Sequence, residues 1–321
     1  MTPATVSRGG PADVRPAPGW CRRRVGDAVR RARENRGLTQ KQAAGTLEWS
    51  LSKLNRIETG RCSVSVTDLQ AMLRLYEIGE AEGSVLVAQA RAGRQRPWYA
   101  RYPAATAVPG LAAYLDAETS AATIRGCRTT GLPDLLQTPD YARAFRTVPG
   151  RPRLDEWQDL LAARQQILDG DGCPDIRYLL DEATLHRGCG GPAVMRAQLR
   201  RLAELADHPR ISIRVVPYTV GAYAAAGSVT IAGYPGEDTV EVYADTVEGI
   251  VRCPGDDASY PGRFATSWCR ATDIRSVGLS MQSAPARHPD VRGTQAGTDH
   301  TADTMPAIGE QAACDPGGDD Q

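Results

Sequence analysis

Apolar positions recur at helical spacing through the first third of the chain and predict a series of short helices. Two of these helices stand close together, separated by a three-residue break at 48–50. Their inward positions are apolar and fall three or four residues apart: Ala43, Ala44 and Leu47 in the first, Leu54 and Ile57 in the second. Two more helices follow, with apolar stripes over 69–76 and within 80–94. With one further helix ahead of the pair, the one that carries Arg33, we predict an all-α N-terminal unit of five helices.

Polar residues at the predicted helix ends agree with this pattern. Thr39 and Gln42 have the spacing of a capping box, in which each side chain satisfies a backbone amide near the other residue. Ser50 is a good N-cap for the second helix of the pair, and Gly60 suits the turn that ends it. The helix pair is therefore bounded on both sides by residues that favour those ends.

The helix pair lies in a strongly basic segment of a chain that is neutral as a whole. Between Trp20 and Arg61 there are eleven lysine or arginine residues and four acids, a net charge of +7. Such a concentration of positive charge suits a phosphate-binding surface. Two short helices joined by a tight break can place one helix in a DNA major groove while the other braces it on the backbone. Double-stranded DNA is the predicted ligand; the alternative is a helical hairpin that binds nothing.

Three stretches of this unit carry a family resemblance: Gly37-Leu38-Thr39-Gln40, Ile57-Glu58-x-Gly60, and the closing helix from Leu69 through Tyr76. Over residues 24–77 the chain resembles a helix-turn-helix domain of the XRE (lambda Cro/repressor) type. The resemblance implies a partly buried ion pair between Arg33 and Glu58. The usual turn glycine of the family is Glu48 here, and a left-handed glutamate costs about 1 kcal/mol or more. We therefore expect a slightly different shape for this turn.

The resemblance also implies which side chains contact DNA. Leu51, Ser52 and Arg56 would face the bases from the second helix of the pair. Gln40 would touch phosphate and sometimes a base. From their charge, Arg22–Arg24, Lys41 and Lys53 are expected to add phosphate affinity that depends on salt. The full set of expected DNA-binding residues is Gln40, Lys41, Ser50, Leu51, Ser52, Lys53, Asn55 and Arg56. A single small module buries little DNA surface, so we expect a homodimer on inverted half-sites.

From Trp98 onward the pattern mixes helices with strands. Helices are predicted near 111–124, 139–146, 155–169, 192–207 and 257–273, and strands at 176–181, 211–216, 228–234 and 239–245. Without strict alternation of the two, this indicates an α+β domain. The predicted organisation is a disordered tail (1–19), the helix-turn-helix domain (20–80), a helical linker (81–97), the α+β domain (98–279) and a disordered acidic tail (280–321).

Motifs of the second region also occur in a fixed order: Leu132-Pro133-x-Leu135-Leu136-Gln137-Thr138, Ala163-Arg164-Gln165, Leu180-Asp181-Glu182, Gln198-Leu199 and Val216-Pro217. They resemble a C-terminal domain of unknown function that follows XRE modules in many actinobacterial regulators, including antitoxin-like ones. Asp134 stands where that family usually has glycine, so its loop is expected to differ. The resemblance implies a small partner protein from the neighbouring locus. An arginine-rich composition, with lysine only at 41 and 53, agrees with an actinobacterial source.

Catalytic and metal-binding patterns are weak. Cys173, His186 and Cys189 are close enough in sequence to consider a metal site, but structural zinc takes four ligands in paired short spacings, and the second pair is missing. Asp181 and Glu182 are more simply explained as the end of a strand and the cap of a helix. The sequence has no G-x-S-x-G elbow, P-loop or Rossmann glycine string. We expect no enzyme activity, no cofactor and no metal.

The remaining features indicate a cytoplasmic protein. Residues 1–19 lack the apolar run of a signal peptide or membrane anchor, and no run of about 18 apolar residues occurs elsewhere. The eight cysteines form no Cys-x-x-Cys pair and are expected to be free thiols. Two functions therefore stay open. One is a transcriptional regulator whose second domain binds an effector or partner; the other is an antitoxin-like protein that neutralises a small partner and regulates its own operon.

Overall fold

The structure is a computed structural model that describes residues 16–147, 156–169, 172–225, 227–236, 240–253 and 259–277. The expected disorder of the two tails falls outside these residues, except at 16–19, where the first helix already begins. Five helices form the N-terminal region: α1 (Pro18–Asn35), α2 (Gln40–Thr46), α3 (Leu51–Glu58), α4 (Val66–Leu75) and α5 (Glu80–Ala92). The predicted all-α unit of five helices is confirmed.

The first four helices end in the same backbone turn. The residue after each C-cap has a positive φ: 67° at Gly37, 56° at Glu48, 66° at Gly60 and 56° at Glu77. In each case that residue donates its amide to a carbonyl three positions back, and the next residue donates to one five positions back. These are Schellman turns, which satisfy the carbonyls left open at a helix end. Sequence alone marks only the two glycines.

The second region continues with helices and strands that alternate irregularly. They are α6 (Pro103–Thr106), α7 (Leu111–Ser120), β1 (Thr123–Arg128), α8 (Pro139–Arg146), α9 (Trp157–Gln165), β2 (Asp175–Asp181), α10 (Glu182–His186), α11 (Gly191–Ala206), β3 (Ile211–Val216), β4 (Val229–Gly233), β5 (Val240–Thr246), β6 (Gly249–Arg252), α12 (Ser259–Cys269) and β7 (Thr272–Asp273). The predicted α+β class is confirmed.

The strands of the described residues form one seven-stranded sheet in the order β6-β5-β4-β1-β2-β3-β7. β1, β2 and β3 run parallel, and the other neighbours pair antiparallel. Helices α7, α8, α9 and α11 cover one face with a large apolar core. α12 covers part of the other face through Phe264, which packs with residues such as Cys127 and Leu179.

Strand β1 is missing from the sequence-based prediction, which continues a helix to residue 124 and assigns no element to the rest of the strand. β1 is central in the sheet, but it carries Arg125, Gly126 and Arg128, which do not indicate a buried strand. Gly126 is required by close packing, because a Cβ there would lie 2.4 Å from Cε1 of Tyr178 on β2. The place of β1 in the sheet is therefore determined by its packing against the neighbouring strands, and not by an apolar pattern of its own.

Helix α1 belongs to two cores. Its first residues Trp20 and Cys21 pack in the core of the α+β region, together with Ala17 just ahead of the helix. Val25 and Val29, one and two turns further along, pack in the core of the helix-turn-helix unit. One continuous helix therefore connects the two regions, which lie within one compact unit.

Candidate nucleic-acid interface

The helix pair α2–α3 begins at the caps that the sequence predicted. Thr39 Oγ1 accepts the amide of Gln42 at 3.2 Å, and the Thr39 amide donates to Gln42 Oε1 at 2.9 Å. Ser50 Oγ accepts the amide of Lys53 at 3.2 Å and so caps α3. The capping box and the Ser50 N-cap are confirmed. They fix where α3 starts and therefore which of its side chains point outward.

The turn between α2 and α3 keeps the left-handed shape despite its glutamate. Glu48 has φ 56°, and its amide and that of Trp49 close the Schellman turn on Gly45 and Ala44. The expected difference in shape is therefore wrong, because these hydrogen bonds and the packing of Trp49 against the core hold the backbone there. The left-handed conformation of Glu48 therefore still lowers the stability of the folded state.

Glu48→Gly is expected to stabilise the protein by about 1 kcal/mol, because glycine adopts a positive φ without that cost. The Glu48 side chain makes no hydrogen bond or ion pair with any described residue that would be lost. Glu77→Gly is the matched control: it relieves the same strain but removes a two-bond contact with Arg36, at 2.7 Å for each bond. Urea denaturation measures both. A larger gain for Glu77→Gly than for Glu48→Gly would contradict this explanation of the strain.

The outer face of α3 is exposed at the positions expected to read bases. Leu51 is 50% exposed, and Ser52 and Arg56 are exposed. Asn55 is half-buried, whereas Leu54 and Ile57 are buried beneath the helix. Leu51 and Arg56 are thus both accessible on α3, where a leucine can meet a thymine methyl and an arginine can meet a guanine edge.

Two other expected contacts are already engaged within the chain. Gln40 Nε2 donates to Glu58 Oε2 at 2.7 Å. Lys53 Nζ lies 3.1 Å from Asp68 Oδ1 and 3.8 Å from the centre of the Trp49 ring. Lys41, by contrast, is exposed and makes no ion pair with a described residue. Of the two lysines, Lys41 is the one whose charge is available to a phosphate without a competing carboxylate.

The predicted ion pair between Arg33 and Glu58 is confirmed and is deeply buried. Arg33 Nε lies 2.6 Å from Glu58 Oε1, and Nη2 lies 3.0 Å from Oε2. Arg33 Nη1 also donates to the carbonyl of Leu38 at 2.7 Å. The hydrogen bond to Glu58 raises the pKa of Arg33, so the guanidinium stays charged. This pair ties α1 to α3 and, through Gln40, to the start of α2.

The expected phosphate role of Arg22–Arg24 does not hold for Arg23. Its side chain is 16% exposed and lies between two carboxylates of the α+β region, Asp116 and Glu241. Arg22 Nη1 donates to the carbonyl of Gly93 at 2.9 Å, which closes the end of α5. The sequence indicates surface charge for these arginines because their partners are distant along the chain. Exposed Arg61, just beyond α3, contributes to the basic charge but is not among the predicted contacts.

Two family models match the chain. A helix-turn-helix domain model (HTH_31) matches residues 24–86, from within α1 to within α5. A model of a domain of unknown function (DUF5753) matches residues 111–272, about half of the chain. The chain belongs to the DUF5753 family. No curated protein and no solved structure matches it. The helix-turn-helix match supports a DNA-binding regulator.

In the DUF5753 region, three glutamines of the sequence motifs hold the loop between β1 and α8. Gln137 Nε2 donates to the carbonyl of Leu132 at 2.7 Å, and Gln165 Nε2 donates to that of Gln137 at 2.7 Å. Gln198 Nε2 reaches the carbonyl of Leu136 at 2.8 Å from α11. These amides satisfy backbone carbonyls that would otherwise be buried without partners. The motif residues are therefore explained by the architecture of this loop.

A buried charge cluster lies beside this loop. Arg164 makes two bonds of 2.9 Å to the Glu118 carboxylate and one of 2.8 Å to Asp134 Oδ2. Burial by itself would raise the pKa of Asp134, but the charges of Arg164, Arg146 and Arg128, with the hydrogen bond from Arg164, together outweigh it and hold that pKa below its ordinary value. Asp134 therefore provides a second carboxylate for this arginine. No sequence signal indicated that Glu118 would be its other partner.

The acidic pair Asp181–Glu182 does what the simpler interpretation predicted. β2 ends at Asp181, whose Oδ1 caps α10 by accepting the amide of Ala183 at 2.8 Å. Glu182 Oε2 accepts the amide of Tyr218 at 2.7 Å, and its Oε1 lies 3.3 Å from His186 Nε2.

No group of three His, Cys, Asp or Glu side chains among the described residues could hold a metal ion. Six of the described cysteines are free thiols: Cys21, Cys62, Cys127, Cys173, Cys253 and Cys269.

Two hollows in the described part of the DUF5753 region differ in shape. One is a cavity of about 30 Å³ between the sheet and α12, lined by Cys127, Ala225, Val229, Ile231, Tyr260, Arg263 and Phe264. It has room for roughly two water molecules. The other is an open groove of about 500 Å³ between α8 and α11, lined by Asp140, Arg143, Ala144, Thr147, Gly190 and Val194.

Across the described residues, no helix is long and apolar enough to cross a membrane.

Proposed function

We propose that this protein is a sequence-specific transcriptional regulator of the XRE type that reads DNA with α3. The outer face of α3 is the observation that supports this role: Leu51, Ser52 and Arg56 are exposed on a helix whose start is fixed by a cap. The exposed Lys41 lies at the start of α2, where it suits phosphate binding. The proposed role is one of binding rather than catalysis, in the cytoplasm where the DNA is.

The proposal includes a homodimer on inverted half-sites. One five-helix module offers a single recognition helix, and two-fold pairing doubles the DNA surface that is buried. The centres of the half-sites would lie about one helical turn apart, or a multiple of it. A footprint on one asymmetric half-site, with 1:1 stoichiometry, would contradict the proposed dimer but not the proposed DNA binding.

Arg56→Ala is expected to lose about 1–3 kcal/mol of binding free energy on the cognate site and to relax the preference at one base pair, because a guanidinium can make two bonds to guanine O6 and N7. Genome-wide mapping of bound DNA supplies the cognate site. Affinities of the full chain are then measured on cognate and scrambled DNA at fixed salt. Equal losses of affinity for cognate and scrambled DNA would show that Arg56 contacts only phosphate.

Lys41→Ala is the control for that experiment. It is expected to weaken cognate and scrambled DNA alike and to lower the salt slope of binding by about 1, since it removes one phosphate contact. Lys53 is the less suitable control because its ammonium already has a carboxylate partner in Asp68. If the wild-type chain binds no DNA at about 50 mM salt, a concentration at which phosphate contacts are still strong, the proposed function fails.

A second candidate function is antitoxin-like: the DUF5753 region binds and neutralises a small partner protein, and DNA binding regulates the operon. The open groove between α8 and α11 supports a protein partner, since it is broad and shallow. The cavity beside Cys127, of about 30 Å³, is too small for an ordinary small-molecule effector, whose pockets measure about 300–1,000 Å³. Co-purification of the neighbouring gene product with the full chain, lost in a charge reversal at Arg143, would favour this alternative.

A further inference from the structure

Arg23 makes contact with the DUF5753 region through its side chain. Nη1 lies 3.7 Å from Asp116 Oδ2 on α7, and Nη2 lies 3.4 Å from Glu241 Oε2 on β5. The amide of Gly19, one turn earlier on α1, donates to Asp116 Oδ1 at 3.3 Å. One carboxylate belongs to α7 and the other to β5, so the guanidinium joins α1 to both elements.

Glu241 is itself rigidly held. The hydroxyls of Tyr234 and Tyr243 donate to its Oε2 at 2.5 and 2.9 Å, and Arg252 Nη2 lies 2.9 Å from Oε1. The Tyr234 ring also packs on Trp20 of α1, with 5.2 Å between ring centres. A carboxylate with this many partners cannot follow a displaced arginine without breaking bonds to its own region. If β5 moves, Glu241 moves with it, and the Arg23 side chain that contacts Glu241 must move as well.

The backbone of Arg23 makes a second contact, with the end of the recognition helix. Gly60, which ends α3, lies so close that a Cβ there would be 2.8 Å from Arg23 Cα. One turn along α1, a Cβ on Gly26 would be 2.5 Å from the carbonyl oxygen of Ile57. Two glycines thus let α1 and α3 meet backbone to backbone, with no flexible side chain between them to absorb a shift.

We infer that Arg23 is a positioning residue that couples the DUF5753 region to the recognition helix. Its side chain is anchored in the Asp116–Glu241 cluster, and its backbone lies against the end of α3. The orientation of α3 on DNA is therefore set from the DUF5753 region. The use of this coupling in DNA recognition rests on the proposed function; the coupling itself does not.

Amide hydrogen exchange of the full chain without DNA tests the coupling first. Glu241→Gln removes the charge that faces Arg23 and keeps an oxygen that accepts from Tyr234 and Tyr243. It is expected to raise amide exchange in α3 about five-fold or more, the lower end of typical coupling between sites. Glu248→Gln, an exposed change in the turn after β5, is the matched control and should leave α3 unchanged. Exchange in α3 that is the same in both variants would overturn the inference.

The same measurement with bound DNA tests the reverse direction, since coupling between two sites is reciprocal. In the wild-type chain, DNA should slow exchange in β5 and α7 as well as in α3. Arg23→Met, checked for intact secondary structure by circular dichroism, should keep the protection of α3 and lose that of β5. Protection of β5 that survives in Arg23→Met would overturn the inference. Absence of DNA binding by the wild type would instead count against the proposed function, and the first experiment would still decide the coupling.

Discussion

Arg164→Met is expected to destabilise the protein by about 3–5 kcal/mol, because it leaves the buried Glu118 carboxylate and the half-buried Asp134 carboxylate without their positive partner. Arg164 and Glu118 are each almost fully buried, and three short hydrogen bonds join the arginine to Glu118 and Asp134. Methionine fills much of the arginine's volume, so most of the loss arises from charge rather than from a cavity. Equilibrium denaturation of the full chain measures it. Arg143→Met, which breaks an exposed pair with Asp140, is the control and should cost less than about 1 kcal/mol.

The pH dependence of Arg164→Met follows from Asp134. Its pKa is lower in the folded wild type than in the unfolded chain, so its contribution to stability is complete above the ordinary aspartate pKa. That contribution is lost as pH falls through the lowered pKa. In Arg164→Met the half-buried Asp134 carboxylate loses the neighbouring guanidinium, and its pKa should rise. The difference in stability from wild type should therefore be largest near neutral pH and shrink in acid; a difference independent of pH would contradict the electrostatic cause.

Arg33→Met is expected to cost a similar amount, about 3–5 kcal/mol, within the helix-turn-helix unit. Glu58 is 2% exposed and, among the described residues, would keep the Gln40 amide as its side-chain partner. The carbonyl of Leu38 would lose its charged donor as well. Because this pair joins α1 to α3, DNA affinity should fall together with stability. Thermal unfolding and DNA binding of the same full-chain variant measure the two effects.

Arg36→Met provides a matched control on the same helix. Arg36 also makes a two-bond pair with a glutamate, Glu77, at 2.7 Å for each bond, but the two side chains are 45% and 64% exposed. An exposed pair contributes about 0.2–1 kcal/mol. Equal losses for Arg33→Met and Arg36→Met would show that burial does not determine the cost of removing the arginine.

The sequence predicted those parts of the fold that depend on neighbouring residues. The caps at Thr39 and Ser50 lie three residues from the groups they bond, so their spacing alone located α2 and α3. The left-handed turn at Glu48 could not be predicted in this way, because the residue type opposes a conformation that the surrounding helix ends impose. Strand β1 was missed for a related reason: its small and charged residues are suited to partners on β2 and β4 that sequence spacing does not reveal.

Long-range polar contacts were the other limit. The pair of Arg33 and Glu58 was expected only because the chain resembles a known family, and the structure confirms it. Nothing comparable marked Arg23, whose partner Glu241 is 218 positions away, or Glu118 as the partner of Arg164. A charged residue on a predicted helix is assigned to the surface by default, and only the folded chain shows which of them have buried partners.

The shared helix α1 also limits how this protein can be divided or recombined. A cut in the segment between the two family matches separates Trp20 and Cys21 from the core in which they are buried. A fragment that ends after α5 would then carry an apolar patch at the start of α1 that the whole protein does not expose. A hybrid regulator made by exchanging the DNA-binding module for that of another protein would need the first turns of α1 to come from the same parent as the DUF5753 region. The parts that belong together are therefore not continuous in sequence: the start of α1, with Trp20 and Cys21, goes with the DUF5753 region, although the helix-turn-helix match lies between them.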